Sequence, residues 1–320
     1  MRNIFEKLSQ RAPEKCKSKR SGGEAATTPQ QSEAATADAL CNNDLCRILP
    51  PRHALEAGIA GLTMPRVVES ISVVSSHYLN QELPKLTVII PARNEEKRLP
   101  KTLGLIKEWI AASGRATEVI PVIQGDDGTA SFVSNAALSD HTLHPLIPLT
   151  GSGKGMAVRI GVAAARGDIV LFTDADLSVP LDCIEKLVSM MEGDPGIDGI
   201  LGSRRLSGSH IVIPQPPLRR ISGRAFNLAL RLGGLTRFAD TQCGCKLFRL
   251  DAARKIFSQS QLDGFAFDVE ILNIAEQLGY HMREVPVTWA DAGGSRVWLP
   301  RDGFRALRDA WSLRKRFRTR

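Results

Sequence analysis

From residue 86 onward, short apolar runs alternate along the chain with segments of helical periodicity. The apolar runs predict strands over 86–90, 118–123, 168–173 and 197–202, and the periodic segments predict helices over 99–110, 155–166 and 181–191. The strands are rich in β-branched residues, as strands buried on both faces are, and Pro91 is expected to end the first of them. Because strands and helices alternate, we predict an α/β fold with a mostly parallel, Rossmann-like sheet and flanking helices.

The composition changes before that point. Residues 1–50 are rich in Ser, Ala, Thr, Gln, Lys and Glu, which predicts a disordered basic tail because too little apolar surface is available to offset the entropy of ordering. Residues 51–85 are semi-polar and predict a linker with short helices. A single folded domain is therefore expected over 86–320.

The net charge of +8 on 320 residues lies at the two ends. Residues 1–20 carry +5 and residues 301–320 carry +6, so the 280 residues between them carry −3. Basic ends on a near-neutral body suit an anionic surface better than a nucleic-acid groove, and aromatic residues do not interleave with the basic ones over a folded face. We therefore predict no nucleic-acid partner.

The last segment, 298–320, is basic and amphipathic. Its apolar stripe consists of Phe304, Leu307, Ala310 and Trp311, with arginines around it. Two interpretations remain open. The segment lies on an anionic membrane surface, where each basic residue contributes about 1 kcal/mol, or it packs against the domain with its charged side exposed.

The compartment follows from apolar runs and cysteines. No run approaches the roughly 18 apolar residues of a membrane-spanning helix, and the basic N-terminus has no apolar core after it. The six cysteines include no C-x-x-C pair, which excludes zinc-ribbon and thioredoxin-type motifs and favours a reducing compartment. The sequence predicts a cytoplasmic protein that associates peripherally with the cytoplasmic face of a membrane.

Two aspartates directly follow a predicted buried strand. Asp174 and Asp176 come after the strand over 168–173, and ligands of open α/β sheets bind at the carboxyl ends of strands. Paired carboxylates suit Mg²⁺ or Mn²⁺ and leave other positions free for diphosphate oxygens. The alternative is a solvated turn in which Ser178, just ahead of Pro180, caps the next helix.

A glycine-rich turn and an arginine-rich segment are the other candidates for anion binding. The turn 151–155 is not a Walker motif, because Gly155 follows Lys154, but it places one lysine at a helix N-terminus. Five arginines lie within 21 residues, at 204, 205, 219, 220 and 224, and arginine binds phosphate bidentately. The plainer interpretations are an ordinary loop and charges on a helix surface.

Roughly 230 of the 320 residues carry a resemblance to a known family. Eight motifs spread over the predicted domain carry this resemblance. They are Val88-Ile-Ile-Pro-Ala-Arg-Asn-Glu95, Gly153-Lys-Gly155, Ala165-Arg-Gly-Asp168, Asp174-Ala-Asp176, Gly202-Ser-Arg204, Asp240-Thr-Gln-Cys-Gly-Cys-Lys-Leu-Phe248, Phe265-Ala-Phe-Asp-Val-Glu270 and Glu284-Val-Pro-Val287. The chain resembles the inverting family 2 glycosyltransferases of the GT-A fold, and within them the dolichyl-phosphate glucosyltransferases and polyprenyl-phosphate sugar synthases. The stretch 240–248 is the most specific of these motifs.

The resemblance implies roles for individual residues. The donor nucleotide sugar would be bound by Pro91, Arg93, Asn94, Glu95, Gln124, Asp126, Lys154 and Asp174. The catalytic centre would contain Asp240, Gln242 and Asp268, the acceptor's lipid phosphate would meet Arg204 and Arg220, and a Mg²⁺ or Mn²⁺ ion would be held by Asp174 and Asp176. For Glu95 and Asp268, a favourable acid in the first turn of a helix and a helix cap are the alternatives.

The second strand departs from the family pattern. Family members usually end it with a tandem Asp-Asp-Gly, whereas Gln124 and Gly125 stand there and the acids follow as Asp126 and Asp127. Either the junction is longer by two residues or Gln124 replaces the usual acid in contacting uracil.

The expected reaction transfers a hexose from a nucleotide sugar to a polyprenyl phosphate, with inversion at the anomeric carbon. We expect the hexose to be glucose and the nucleotide sugar to be UDP-glucose. Two alternatives remain open. The acceptor is a soluble molecule or a glycan, or the protein binds nucleotide sugars without catalysis.

Overall fold

The computed structural model describes residues 83–293 and 299–317. The predicted disordered tail, 1–50, lies outside these residues, as does nearly all of the predicted linker, 51–85. The strands are β1 (Leu86–Arg93), β2 (Thr117–Gln124), β3 (Ile169–Phe172), β4 (Gly199–Ser203), β5 (His210–Ile213), β6 (Lys246–Arg249), β7 (Met282–Pro286) and β8 (Thr288–Ala290). The helices are α1 (Leu99–Ser113), α2 (Thr129–Ala137), α3 (Lys154–Ala164), α4 (Leu181–Gly193), α5 (Pro217–Leu232), α6 (Leu250–Gln259), α7 (Phe267–Gln277) and α8 (Leu299–Phe317).

Six strands form one sheet in the order β2-β1-β3-β6-β4-β7. Every neighbouring pair is parallel except the two that involve β6, which runs antiparallel to β3 and β4. Because β6 is reversed, its first residue, Lys246, stands at the edge where the five parallel strands end, beside Phe172 and Leu201. Strands β5 and β8 form a separate parallel pair.

Apolar side chains cover both faces of the sheet, which confirms the predicted mostly parallel sheet with flanking helices. In β1, Val88 and Ile90 pack into one cluster with α1 and α4, while Ile89 packs into the opposite cluster with α3, α6 and α7. This division follows from the alternation of side chains along a strand. Leu230, Val269 and Ala310 join a third, smaller cluster between α5, α7 and α8.

The prediction that Pro91 ends the first strand was wrong, because β1 continues to Arg93. The N–H of Thr173 donates to the carbonyl of Ile89, so alternate residues of β1, including Pro91, direct their backbone polar groups towards β3. Pairing with β3 ends at Ile89, whereas pairing with β2 continues to Arg93. The missing N–H of Pro91 therefore removes no ladder hydrogen bond.

The other predicted elements lie within three residues of the observed bounds. The helix α8 agrees with the second interpretation given above, in which the segment packs against the domain. It packs on α5 and α7 through Ala306, Ala310 and Leu313, but it leaves Phe304 and Trp311 exposed. Within the described ranges, no helix has the length and apolarity that crossing a bilayer requires.

Candidate active site

The edge where the parallel strands end brings together most of the predicted polar residues. Asp174 and Asp176 follow β3, and Arg204 follows β4. Lys246 begins the reversed strand β6 at the same edge, and Lys154 begins α3. Three ion pairs form here, and they differ mainly in how much solvent reaches them.

The first pair joins Lys154 to Asp174 at the solvent-facing mouth of the site. The Lys154 Nζ lies 2.5 Å from Asp174 Oδ1, with side chains 17% and 36% exposed. Burial opposes both charges, but each partner's charge outweighs it, so the pKa of Lys154 lies above its ordinary value and the pKa of Asp174 below. Gly244 closes over this carboxylate: a Cβ there would lie 1.8 Å from Asp174 Oδ2.

Asp176 is fixed by its own turn. Its Oδ1 accepts the N–H of Ser178 at 3.1 Å and the hydroxyl of Ser178 at 2.8 Å. Between the two aspartates, Ala175 is held by its carbonyl, which accepts the Thr102 hydroxyl at 2.6 Å. The alternative role of Ser178 as a helix cap is not observed, since α4 begins after Pro180 without a side-chain cap.

Asp174 and Asp176 fit a divalent ion whose coordination the phosphates of a bound substrate would complete. Among the described residues, no group of three or more His, Cys, Asp or Glu side chains is assembled for a metal. Mg²⁺ is usually held by one or two carboxylates together with substrate phosphates, and it retains several water molecules. Asp174 and Asp176 supply that number of carboxylates at the open edge of the sheet.

The glycine-rich turn ahead of α3 is clamped from both sides. The Gln124 amide bonds the Gly153 peptide, with the Gly153 N–H 3.0 Å from Gln124 Oε1 and the Gly153 carbonyl 3.4 Å from Gln124 Nε2. The Gly155 N–H donates to the Asp263 carbonyl at 2.8 Å. Gly153 has φ 134°, and a Cβ on it would lie 2.2 Å from that same carbonyl oxygen, so only glycine fits.

The second pair joins Arg204 to Asp240, which is 1% exposed. The Arg204 Nε and Nη2 donate to the two carboxylate oxygens at 2.6 and 2.8 Å. The Asp240 N–H donates to Glu284 at 2.8 Å, and the guanidinium lies 5.4 Å from the ring centroid of Trp289. Burial would raise the pKa of Asp240, but Arg204 outweighs it and lowers that pKa.

The third pair, Lys246 with Asp268, lies beneath the mouth. The two side chains are 0% and 3% exposed, with Nζ 2.5 Å from Oδ1. The same ammonium donates to the Cys243 carbonyl at 2.7 Å and lies 5.3 Å from the ring centroid of Phe172. Burial raises the pKa of Asp268 although Lys246 opposes the shift. Asp268 is inside the first turn of α7 and does not cap it.

Gln242 lies two residues after Asp240 and contacts the second pair. Its N–H donates to Asp240 Oδ1 at 3.3 Å. Its side-chain Nε2 is buried and has no hydrogen-bond partner among the described residues. A buried amide donor without a partner is rare in proteins, and this one is consistent with the predicted contact to a substrate.

The predicted nucleotide side lies at the ends of β1 and β2. Asn94, at φ 55°, accepts the Asp126 N–H through Oδ1 at 2.9 Å, and Asp126 itself is exposed. Glu95 holds Arg98 bidentately at 2.7 and 2.8 Å, which differs from the simple helix-terminus role considered above. Pro91 is half-buried, whereas Arg93 is exposed at the end of its strand.

Arg220 does not join the cluster. It lies exposed on the first turn of α5 and forms no ion pair with any residue that the structure describes. Sequence reasoning also missed two residues that matter here. Lys246 stands in the apolar run Cys-Lys-Leu-Phe, where a lysine indicates a paired buried charge, and Glu284 was given no role within its motif.

Comparisons with known proteins give a family model and named relatives that match this chain. The sequence model of Glycosyl transferase family 2 matches residues 87–257. A dolichyl-phosphate beta-glucosyltransferase of Drosophila melanogaster is 34% identical over 72% of this chain and 77% of that protein. One of Trichomonas vaginalis is 33% identical over 66% of this chain, and the match spans 65% of that protein's length.

A solved structure supports the fold alone. The mannosyl-3-phosphoglycerate synthase from Rubrobacter xylanophilus matches with a TM-score of 0.55 at 18% identity, over 74% of this chain and 76% of that one. The GT-A fold predicted from the sequence is thereby confirmed. Since the family model spans more than half of the residues and the Drosophila relative shares a third of its aligned positions, this chain belongs to glycosyl transferase family 2.

Proposed function

We propose that the protein transfers glucose from a nucleotide sugar, UDP-glucose, to a polyprenyl phosphate of the dolichyl type, with inversion at the anomeric carbon. The names of the Drosophila and Trichomonas relatives support the sugar and the acceptor. The choice of uridine rests on the sequence resemblance.

One observation in the site carries the choice of acceptor. Asp240 and Asp268, the two carboxylates predicted at the catalytic centre, are both buried in ion pairs with Arg204 and Lys246. A sugar hydroxyl needs a general base within hydrogen-bond reach, and neither carboxylate is free to supply one. A lipid phosphate, with a second pKa of roughly 6, is already an anionic nucleophile and needs only to be positioned.

The donor side uses the residues at the mouth. Asp174 and Asp176 would hold Mg²⁺ or Mn²⁺, which when bound offsets the charge developing on the departing diphosphate. Lys154, at the start of α3, is within reach of the same diphosphate. Asp126 is exposed beyond β2 and is our candidate for the contact to the base, whereas Gln124 acts indirectly by shaping the turn at Gly153.

The acceptor side uses arginines. Arg204 is held in place by Asp240, and the donors of its guanidinium that this carboxylate does not use remain for a phosphate. Arg220 lies on α5 outside the cluster, so in this proposal it meets the lipid phosphate on its way in. Asp240 and Asp268 are positioning residues, which hold Arg204 and Lys246 in place.

The exposed apolar surface supports peripheral binding to a membrane. We define the docking surface as the exposed apolar residues of β5, α5 and α8: Ile211, Val212, Ile213, Leu218, Ile221, Leu228, Leu232, Phe304 and Trp311. Arginines accompany them on α5 and α8. Apolar side chains among arginines suit an anionic lipid surface, such as a cytoplasmic leaflet, and we place the protein there.

The test is transfer of labelled glucose from UDP-glucose in the presence of Mn²⁺ and dolichyl phosphate. We expect the label to enter the organic phase. We also expect other labelled nucleotide sugars to give less label in that phase. Label in an aqueous glycan would instead indicate a soluble acceptor. Nucleotide binding without any turnover would contradict catalysis.

Vesicle sedimentation tests the docking surface separately. We expect the protein to bind vesicles that contain anionic lipids, and the double variant Phe304→Ser/Trp311→Ser to bind them several-fold more weakly. Leu138→Ser, directly after α2 and not part of the docking surface, is the control, since Leu138 is also exposed. Equal binding by all three proteins would contradict membrane docking through α8.

A further inference from the structure

We infer that Lys154 and the divalent ion compete for Asp174, so that the ion and the diphosphate of the donor bind cooperatively. This inference rests on the proposed function and adds a binding linkage to it. Its core is the ion pair in which the Lys154 ammonium contacts the carboxylate that the metal needs.

The contact places two requirements on the same side chain. Lys154 Nζ lies 2.5 Å from Asp174 Oδ1, at hydrogen-bond distance. Gly244 packs against the second oxygen, Oδ2, so closely that a Cβ there would lie 1.8 Å from it. With one oxygen bonded to an ammonium and the other approached by backbone, a cation gains access to this carboxylate chiefly when Lys154 moves away.

Lys154 can move without moving the backbone. The turn that carries it is fixed by Gln124 at Gly153 and by the Asp263 carbonyl at Gly155. The lysine has a flexible four-carbon stem, so its ammonium can leave Asp174 by rotation about side-chain bonds. A diphosphate bound at the mouth is the anion that would receive it.

The cation and the diphosphate are linked because both require the Lys154–Asp174 ion pair to separate, and when both bind it separates only once. A cation that binds alone must displace Lys154 and leave the ammonium without its partner. A diphosphate that binds alone and takes up Lys154 must separate the same pair. When both bind, the separation occurs once, the carboxylate meets the metal and the ammonium meets the phosphate, so each ligand raises the affinity for the other.

The experiment measures Mn²⁺ binding to the full chain from the signal of free Mn²⁺ in electron paramagnetic resonance, with and without UDP. In Lys154→Met we expect Mn²⁺ alone to bind about fivefold more tightly, or more, than in the wild type. We also expect UDP to increase the Mn²⁺ affinity of the variant by a smaller factor than in the wild type. Lys154→Arg, which keeps the charge and the pairing, should resemble the wild type.

Two controls separate competition from a general change in charge. Lys107→Met removes a lysine of α1 from its pair with Asp140, outside the site, and should leave Mn²⁺ affinity unchanged. Each titration is repeated at about 0.5 M KCl, which screens through-space repulsion but not a direct exchange at Asp174. Asp174→Asn should abolish the tight Mn²⁺ site in both lysine backgrounds.

The outcomes are distinct. Equal or weaker Mn²⁺ binding by Lys154→Met, or a gain that disappears at high salt, would overturn the competition. If the variant gains Mn²⁺ affinity but UDP has no effect on any protein, the competition stands and the proposed nucleotide donor fails. Circular dichroism of each variant shows whether it is folded.

Discussion

The site contains two lysine–aspartate pairs with the same 2.5 Å separation and opposite surroundings. Lys154 and Asp174 are 17% and 36% exposed, whereas Lys246 and Asp268 are 0% and 3% exposed. At the mouth, water and ligands can replace either partner. Beneath it, separating the pair would leave an ion buried without its counter-ion, which is strongly unfavourable.

This difference in exposure shows that the distance between two charged groups does not by itself assign a role to their ion pair. The exposed pair is suited to exchange during ligand binding, and the buried pair is suited to holding β6 and α7 together under the site. A variant of one lysine should therefore affect binding, and a variant of the other should affect stability.

We expect Lys246→Met to have the strongest effect of these variants, on the free energy of unfolding. Leaving Asp268 without its partner should lower the free energy of unfolding by about 3–5 kcal/mol, as measured by urea denaturation. Lys154→Met should change it by less than about 1 kcal/mol, since its pair is partly exposed.

A double variant checks that charge is the cause. Lys246→Met/Asp268→Leu should recover much of the lost stability, because an apolar pair needs no counter-ion. Similar losses in the two single lysine variants would contradict the distinction between the pairs.

Asp174→Asn should give the next largest effect, now on activity. We expect kcat/KM for glucose transfer to fall roughly 100- to 1,000-fold, since the carboxylate charge that would hold the ion is lost. The unfolding free energy should change little, as Asp174 is partly exposed. Asp182→Asn, at an exposed carboxylate on α4, is the matched control. Transfer at the wild-type rate by folded Asp174→Asn would remove the metal role.

Gly244→Ala tests the exposed pair alone, because it displaces the Asp174 carboxylate. The added Cβ would lie 1.8 Å from Asp174 Oδ2, so this carboxylate must shift to make room for it. We expect transfer to fall about 10- to 100-fold, with stability nearly unchanged. Gly264→Ala, where a Cβ meets nothing within 4 Å, should be close to the wild type. Equal activity of both alanine variants would show that Gly244 has no part in placing Asp174.

The smallest effect tests whether Arg204 and Asp240 behave like the buried lysine pair. Burial raises the pKa of Asp240, but Arg204 outweighs it and holds the pKa below its ordinary value. The stability from this pair is present above about pH 4 and is lost as the pH falls through the folded-state pKa. In Arg204→Met this guanidinium no longer outweighs burial, so the rise in unfolding free energy between about pH 3 and 5 should flatten.

Urea unfolding at steps of pH measures that slope. Arg283→Met is the control, because Arg283 pairs with Asp194 at 3.1 Å where both side chains are about two-fifths exposed. An unchanged slope in Arg204→Met would mean that Asp240 does not depend on its arginine.

The sheet and its position relative to Asp174 were predictable from the sequence, since β-branched runs and helical periodicity specify local structure directly. The extent of β1 was not, because the tolerance of Pro91 depends on where the neighbouring strand β3 stops. The reversed strand β6 was not predicted either, since a strand of only four residues, Lys-Leu-Phe-Arg, does not reveal its direction.

Within the site, residue types were easier to predict than their partners. Asp240 and Asp268 were assigned to the catalytic centre, and in the structure they pair with Arg204 and Lys246 at the edge where the parallel strands end. Their counter-ions come from elements far away in the sequence, and no local pattern identifies such a partner. The role of Gln124 on the peptide of Gly153 was hidden for the same reason.

The reversal of β6 has a consequence for how this protein can diversify. The chain leaves the sheet after Ser203 and re-enters it at Lys246 on the same rim. The excursion between these points, which includes β5 and α5, begins and ends at the candidate site. Insertions and substitutions along it can reshape the entrance for a new acceptor while the strands beneath keep their register, so recognition and architecture are free to evolve separately.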